Sequence, residues 1–155
     1  MSIGVTWQTL SKSTDTTGQI GVHLGNNLRG GEVIELVSDL GGGKTTFVRG
    51  LARGFGSSDK VASPSFTISK VYKSGESELH HFDFYRLHEA GIVARELDEL
   101  VGDEHVTIVV EWADLVRDVL PTSRLTIKFK TIDEDTRLLE FVCPKPLEYL
   151  MENLK

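Results

Sequence analysis

Two largely apolar runs stand out along the chain. Val33-Ile-Glu-Leu-Val37 and Val106-Thr-Ile-Val-Val110 are dominated by β-favouring residues, and each reads as a buried strand. Elsewhere the pattern alternates. Leu125-Thr-Ile-Lys-Phe129 switches cleanly between apolar and polar, as a half-exposed strand does. Leu139-Glu-Phe-Val-Cys143 forms a further strand after the acidic turn Asp133-Glu-Asp135, and Val5-Thr-Trp-Gln8 a short edge strand. Phe66, Ile68, Val71 and Tyr72, then the turn Ser74-Gly-Glu-Ser77, then Leu79 to Tyr85, predict a β-hairpin.

Helical spacing alternates with these strands. Thr17, Ile20, Leu24 and Leu28 recur at three and four, with capping residue types from Ser11 to Asp15 before them and Arg29-Gly30-Gly31 as the stop. Gly18, Gly21 and Gly25 interrupt that helix at about 1 kcal/mol each relative to alanine. Phe47, Leu51 and Phe55, with Val48, mark a second amphipathic helix stopped at Gly54 to Gly56. Leu87 to Val101 predicts a third, with Ile92, Val93, Leu97, Leu100 and Val101 on its inner face. Leu115, Val116, Val119 and Leu120 form a short helical turn before Pro121, and Leu147 to Leu154 a final short helix. There is no internal repeat.

The junction of the first apolar run with the second helix carries the chemistry. Asp39, Leu40, Gly41, Gly42, Gly43, Lys44, Thr45 and Thr46 follow the strand and open the helix. Strand, glycine loop and helix in that order are the parts of a phosphate-binding loop. Glycines let consecutive N–H groups turn inward around phosphate oxygens, and the helix N-terminus adds partial positive charge. Lys44 would reach the β and γ phosphates, and the Thr45 hydroxyl would bind Mg²⁺. Ser38 stands where the usual pattern begins with glycine.

Two acids fit such a site. Glu111 ends the second apolar run, where a carboxylate would hold Mg²⁺, directly or through water, or orient the attacking water. Trp112 follows and packs against the site or a partner. Asp83 lies between Phe82 and Phe84, a costly place for a carboxylate without a partner. Mg²⁺, its water or Lys44 would supply one, and so would Arg86. His80 and His81 read as structural, since no further His or Cys stands at ligand-like spacing. Ser63-Pro-Ser-Phe-Thr67 reads first as a Ser/Pro turn, with a γ-phosphate-sensing hydroxyl as the alternative. Thr136 and Arg137, at the exit of the acidic turn, could reach a nucleotide base or ribose.

Composition narrows the class. The 155 residues fit one domain, and 39% hydrophobic with 26% charged residues are ordinary globular values. A net charge of −6 argues against gripping DNA or RNA backbones unaided. The single cysteine, Cys143, excludes an internal disulfide and reads as a small buried hydrophobe. No apolar run nears the roughly 20 residues that span a membrane. The first residues lack a basic segment followed by an apolar one, so no signal peptide and a cytoplasmic location are expected.

Taken together, Asp39 to Thr46, Ser63 to Thr67, His81-Phe-Asp-Phe-Tyr-Arg-Leu87, Glu111-Trp112 and Leu120-Pro121, in that order, resemble the TsaE family of tRNA threonylcarbamoyladenosine (t6A) biosynthesis. The resemblance runs from about Thr14 to Val142. The His-Phe-Asp-x-Tyr-Arg piece with Glu-Trp after it is more specific than the phosphate loop alone. Ser38 stands where the family usually has glycine, and Ser65 where it usually has threonine, with the hydroxyl kept.

The resemblance implies an α/β, P-loop NTPase-like fold: a central mixed sheet with parallel core strands, a β-hairpin insertion and flanking helices. It implies binding of ATP or ADP with Mg²⁺, weak hydrolysis alone, and work with TsaD and TsaB, the pair that modifies an adenosine beside the tRNA anticodon. ATP turnover would reset that complex. On this reading Lys44 and the backbone from Asp39 to Thr46 hold phosphates, Thr45 and Glu111 hold Mg²⁺, Ser65 joins the metal or γ-phosphate shell, and Asp83 aids hydrolysis. A second reading is a binding module whose shape is set by nucleotide, with turnover incidental. A small-metabolite kinase is weaker, because no arginine-rich lid segment is visible.

Overall fold

The computed structural model describes residues 4–38, 43–60, 69–89 and 91–154. Its elements, in chain order, are β1 (Val5–Ser11), α1 (Thr14–Asn26), β2 (Val33–Val37), α2 (Lys44–Phe55), β3 (Ser69–Ser74), β4 (Ser77–Asp83), α3 (Gly91–Leu100), β5 (Val106–Glu111), β6 (Leu125–Thr131) and β7 (Arg137–Cys143). Two 3₁₀ helices, Ala113–Val119 and Lys145–Met151, complete it.

All strands share one seven-stranded sheet in the order β1-β7-β6-β2-β5-β4-β3. The middle four, β6, β2, β5 and β4, run parallel, while β1 with β7, β7 with β6, and β3 with β4 are antiparallel. The two apolar runs are therefore adjacent central strands, with Leu36 opposite Glu111. Parallel strands covered on both faces need apolar side chains on both, which is why these runs do not alternate.

One face of the sheet, with Ile34, Leu36, Val109, Leu125 and Ile127, packs under α1, α2 and the C-terminal 3₁₀ helix. The other, with Val33, Phe82, Ile108 and Val110, packs under α3 and the first 3₁₀ helix. Glu35 is the polar exception on this second face, at 2% exposure. Arg117 and Arg124 reach its two oxygens at 3.0 and 2.9 Å. At the opposite end of the sheet from Gly43 and Lys44, buried Glu32 accepts from the backbone N–H groups of Arg29 and Gly30, from the Thr107 hydroxyl and, at 2.6 Å, from the Tyr149 hydroxyl.

Gly21 and Gly25 of α1 have a packing reason that propensity does not show. A Cβ on Gly21 would lie 2.4 Å from the Phe47 carbonyl oxygen of α2, and one on Gly25 2.3 Å from that of Leu51. The approach is mutual, since a Cβ on Gly50 or Gly54 of α2 would meet the carbonyl oxygens of Gly18 or Val22 at 2.0 and 2.1 Å. The two helices thus touch backbone to backbone, which fixes α2, and with it Lys44, against the sheet.

Several boundaries differ from the pattern-based expectation. β1 runs to Ser11, because all seven of its residues pair with β7. The helix cap is accordingly Ser13, whose side chain accepts from the Thr16 N–H. α1 ends at Asn26, where the Asn27 side chain donates to the carbonyls of Leu150 and Glu152, ahead of Gly30 and Gly31. β4 ends at Asp83, and α3 begins at Gly91, not Leu87. Ile92 is 74% exposed, outside the buried face assigned to it, and Leu115 is also exposed. The last helix is 3₁₀ and ends at Met151. Phe66 and Ile68 lie outside the described residues. Cys143 is buried, as expected. Among the described residues no helix is long and apolar enough to cross a membrane.

Candidate functional site

The C-terminal ends of β2, β5 and β4 and the first turn of α2 converge on one point. In an open sheet with parallel strands this edge is where ligands bind. Gly43 caps α2 with φ of 94°, a conformation that costs glycine little and other residues more. The first N–H groups of a helix have no partner within it, so α2 presents donors and a positive dipole end at this edge. Thr45 and Thr46 are half-buried in that turn.

Lys44 points back over the sheet. Its Nζ donates to the Ser38 carbonyl at 3.2 Å and lies 3.6 Å from Glu111 Oε1. It also sits 5.1 Å from the centre of the Trp112 ring, a cation–π distance. Lys44 and Glu111 are 8% and 4% exposed, so their charges interact with little screening from solvent. The other Glu111 oxygen, Oε2, lies 2.5 Å from His81 Nε2. A carboxylate accepts, so the imidazole N–H donates.

Asp83 is directly opposite Glu111 in the β4–β5 register. It is half-buried, and its Oδ1 accepts from the Tyr85 N–H at 3.0 Å. Burial raises its pKa above the ordinary carboxylate value, and the nearby Glu111 charge adds to the rise. The Tyr85 hydrogen bond opposes it, as do the neighbouring His81 and Lys44 side chains. Asp83 therefore belongs electrostatically to the Lys44–Glu111 cluster. Trp112 adopts a left-handed backbone, φ 56°, as the cap of the 3₁₀ helix. Its ring lies 5.0 Å from that of Tyr85, so two aromatic side chains wall the site beside Lys44.

The structure thus brings together Lys44, Glu111, Asp83 and Trp112 around the α2 turn that carries Gly43, Thr45 and Thr46. Asp39, Leu40, Gly41, Gly42 and Ser65, with the rest of Ser63–Thr67, lie outside the described residues. Thr136 and Arg137 sit at the same end of the sheet, where Arg137 faces Thr131 and Ser11 across the strands. There the Arg137 guanidinium donates to the carbonyls of Asp133, Glu134 and Thr136 and braces the turn. His81, expected to be structural, stands at the site. Its spacing held a signal: residues two apart on a strand share a face, so His81 and Asp83 point the same way.

Among the described residues no three His, Cys, Asp or Glu side chains form a metal cage. The donor set suits Mg²⁺ nonetheless, since that ion at phosphate sites takes one or two carboxylates and fills its shell with water and substrate oxygens. Glu111 and the Thr45 hydroxyl are donors of the required type.

A family model described as "Threonylcarbamoyl adenosine biosynthesis protein TsaE" matches residues 11–139. The tRNA threonylcarbamoyladenosine biosynthesis protein TsaE of Bacillus subtilis (strain 168) is 41% identical over 115 residues, covering 72% of this chain and 69% of that protein. The protein of the same name from Treponema pallidum (strain Nichols) is 35% identical over 132 residues, covering 83% and 94%. The crystal structure of Bacillus subtilis YdiB superposes with a TM-score of 0.76 at 35% identity, covering 99% of this chain and 95% of that one.

Proposed function

The chain belongs to the TsaE family of threonylcarbamoyl adenosine biosynthesis, and on that premise we propose that it is a single-domain, cytoplasmic ATPase serving t6A modification of tRNA. It binds ATP with Mg²⁺, hydrolyses it slowly alone, and uses turnover to reset a TsaD–TsaB transferase. The observation that carries this reading is the convergence of Lys44, Glu111 and Asp83 on the first turn of α2.

The roles follow from charge and position. The loop backbone from Asp39 to Thr46 and the α2 N-terminus receive phosphate oxygens. Lys44 leaves Glu111 and Ser38 for the β and γ phosphates, exchanging one anionic partner for another. Glu111, released on its Oε1 side, and Thr45 would hold Mg²⁺, with Ser65 as a further hydroxyl. The ion, when bound, neutralises charge that develops on the transferring phosphoryl group. Asp83, beside Glu111 with an affinity for protons raised by burial, orients the attacking water and accepts its proton. Trp112 and Tyr85 restrict solvent at this edge, and Thr136 with Arg137 faces the base or ribose.

The test is phosphate release from Mg-ATP by the purified chain, with and without TsaD, TsaB and tRNA, beside Lys44→Ala. A rise on adding the partners that is absent in Lys44→Ala supports the reading. Tight ATP binding with no release in any mixture replaces it with a nucleotide-gated binding module.

A further inference from the structure

His81 is fully buried, yet it is a poor core residue. Its Nε2–H makes one hydrogen bond, to Glu111 Oε2 at 2.5 Å, and its Nδ1 is buried with no partner. An unsatisfied buried polar atom is destabilising, and an apolar ring in the same place would avoid it. Stability alone does not account for a histidine here. The contact with Glu111 does.

Glu111 has three rotatable side-chain bonds and stands at a strand end. Lys44 holds it only from the Oε1 side, and that contact is the one a phosphate group would remove. Oε2 remains tied to β4 through His81, whatever Lys44 does. We infer that His81 is the positioning residue of this site: it pins Glu111 through Oε2, so that Oε1 alone faces the magnesium and water side when Lys44 turns to the nucleotide. Pinning one oxygen also makes Glu111 a one-oxygen ligand rather than a chelating one. The inference rests on the reading of the site as a Mg-nucleotide site. It adds a residue that touches neither nucleotide nor metal and acts through Glu111.

The experiment compares His81→Asn, His81→Phe and His81→Gln. A glutamine amide places its nitrogen near the position of the imidazole Nε2, whereas an asparagine amide falls short. Each variant is measured for ADP affinity with and without Mg²⁺, for phosphate release from Mg-ATP, and for melting temperature. Loss of a residue that orients a metal ligand typically costs 10–100-fold in metal affinity or activity. The expected result is a loss of about that size in Mg²⁺-dependent tightening and in kcat for the Asn and Phe variants. Mg²⁺-free ADP affinity should stay within about 2-fold, and Gln should recover most of the loss. His81→Phe removes the unpartnered Nδ1 but leaves the buried Glu111 Oε2 without its donor, so it should melt lower than the natural protein while its Mg²⁺-free ADP affinity is unchanged. A purely structural histidine would instead move melting temperature and Mg²⁺-free affinity together. The inference is overturned if the Asn and Phe variants keep full Mg²⁺ dependence and turnover, if they lose nucleotide affinity equally with and without Mg²⁺, or if Gln behaves like Asn. A natural protein that shows neither Mg²⁺-dependent nucleotide binding nor turnover is a different failure, since it removes the proposed function and this inference with it.

Discussion

Alanine at Gly50 and alanine at Gly18 probe one helix–helix contact from its two sides, and the structure predicts opposite outcomes. A Cβ at Gly50 would sit 2.0 Å from the Gly18 carbonyl oxygen and 3.2 Å from the Gly18 Cα. Ordinary contact begins near 3.4 Å, so α1 and α2 would have to part by about 1.4 Å. Both obstructing atoms are backbone, so no rotamer change relieves the clash. Overpacking a close interface costs typically 1–3 kcal/mol, and this case belongs at the upper end. Helix propensity returns at most about 1 kcal/mol. The net loss is about 2 kcal/mol, equivalent to a melting temperature about 4–8 °C lower for a chain of this size. A Cβ at Gly18 meets only Thr46 Cγ2, at 3.9 Å. Gly18→Ala therefore keeps its propensity gain, about 0.5–1 kcal/mol, and melts a few degrees higher. Thermal unfolding followed by circular dichroism, with urea titration as a second measure, decides between them. If Gly50→Ala melts at or above the natural protein, or below it by no more than Gly18→Ala does, the close-approach argument is wrong. Because α2 carries Lys44, the Gly50 variant should also bind nucleotide more weakly.

Asp83→Asn should raise the melting temperature at pH 7 while abolishing phosphate release. The folded-state pKa of Asp83 is raised above 3.8 by burial, so its contribution to stability is favourable at low pH and is lost as pH rises from 3.8 through the raised value. The gain from Asn should accordingly shrink below pH 3.8, and an Asn variant less stable at pH 7 would contradict the burial argument. Tyr149→Phe removes the hydroxyl that donates to Glu32 at 2.6 Å, a hydrogen bond to a charged group worth about 1.5–3 kcal/mol, read by urea denaturation. The same burial and carboxylate push the Tyr149 phenol well above its ordinary value of 10. In alkaline titration the natural protein should therefore lose stability above pH 10, and Tyr149→Phe should show less of that loss. Because Lys44 lies against the Trp112 ring, Mg-ADP should change tryptophan fluorescence, and Trp112→Phe should remove most of that signal although Trp7 remains.

Local pattern alone marked most of the architecture. Val33–Val37 and Val106–Glu111 are strands because mostly apolar, β-favouring residues on both faces suit a strand covered on both sides, and Lys44–Phe55 is a helix because its apolar residues recur at helical spacing. Lys44 and Glu111 were legible as chemistry for the same reason, as a charge at a strand–loop–helix junction and a charge at the end of an apolar strand. Boundaries without such signals slipped: the Leu87–Val101 reading overran α3, and it buried Ile92, which faces solvent. What the sequence could not contain was the lateral order of the strands. Only β4 lying beside β5 sets Asp83 opposite Glu111 and puts His81 within reach of the Glu111 carboxylate, across 30 positions of sequence. The same holds for Gly21 and Gly25 of α1. By propensity they are flaws in a helix, and only the backbone of α2 against them makes them a requirement. Spacing along one chain reports which side chains share a face, whereas a site is made by faces of different elements meeting, and the packing of the whole sheet decides that.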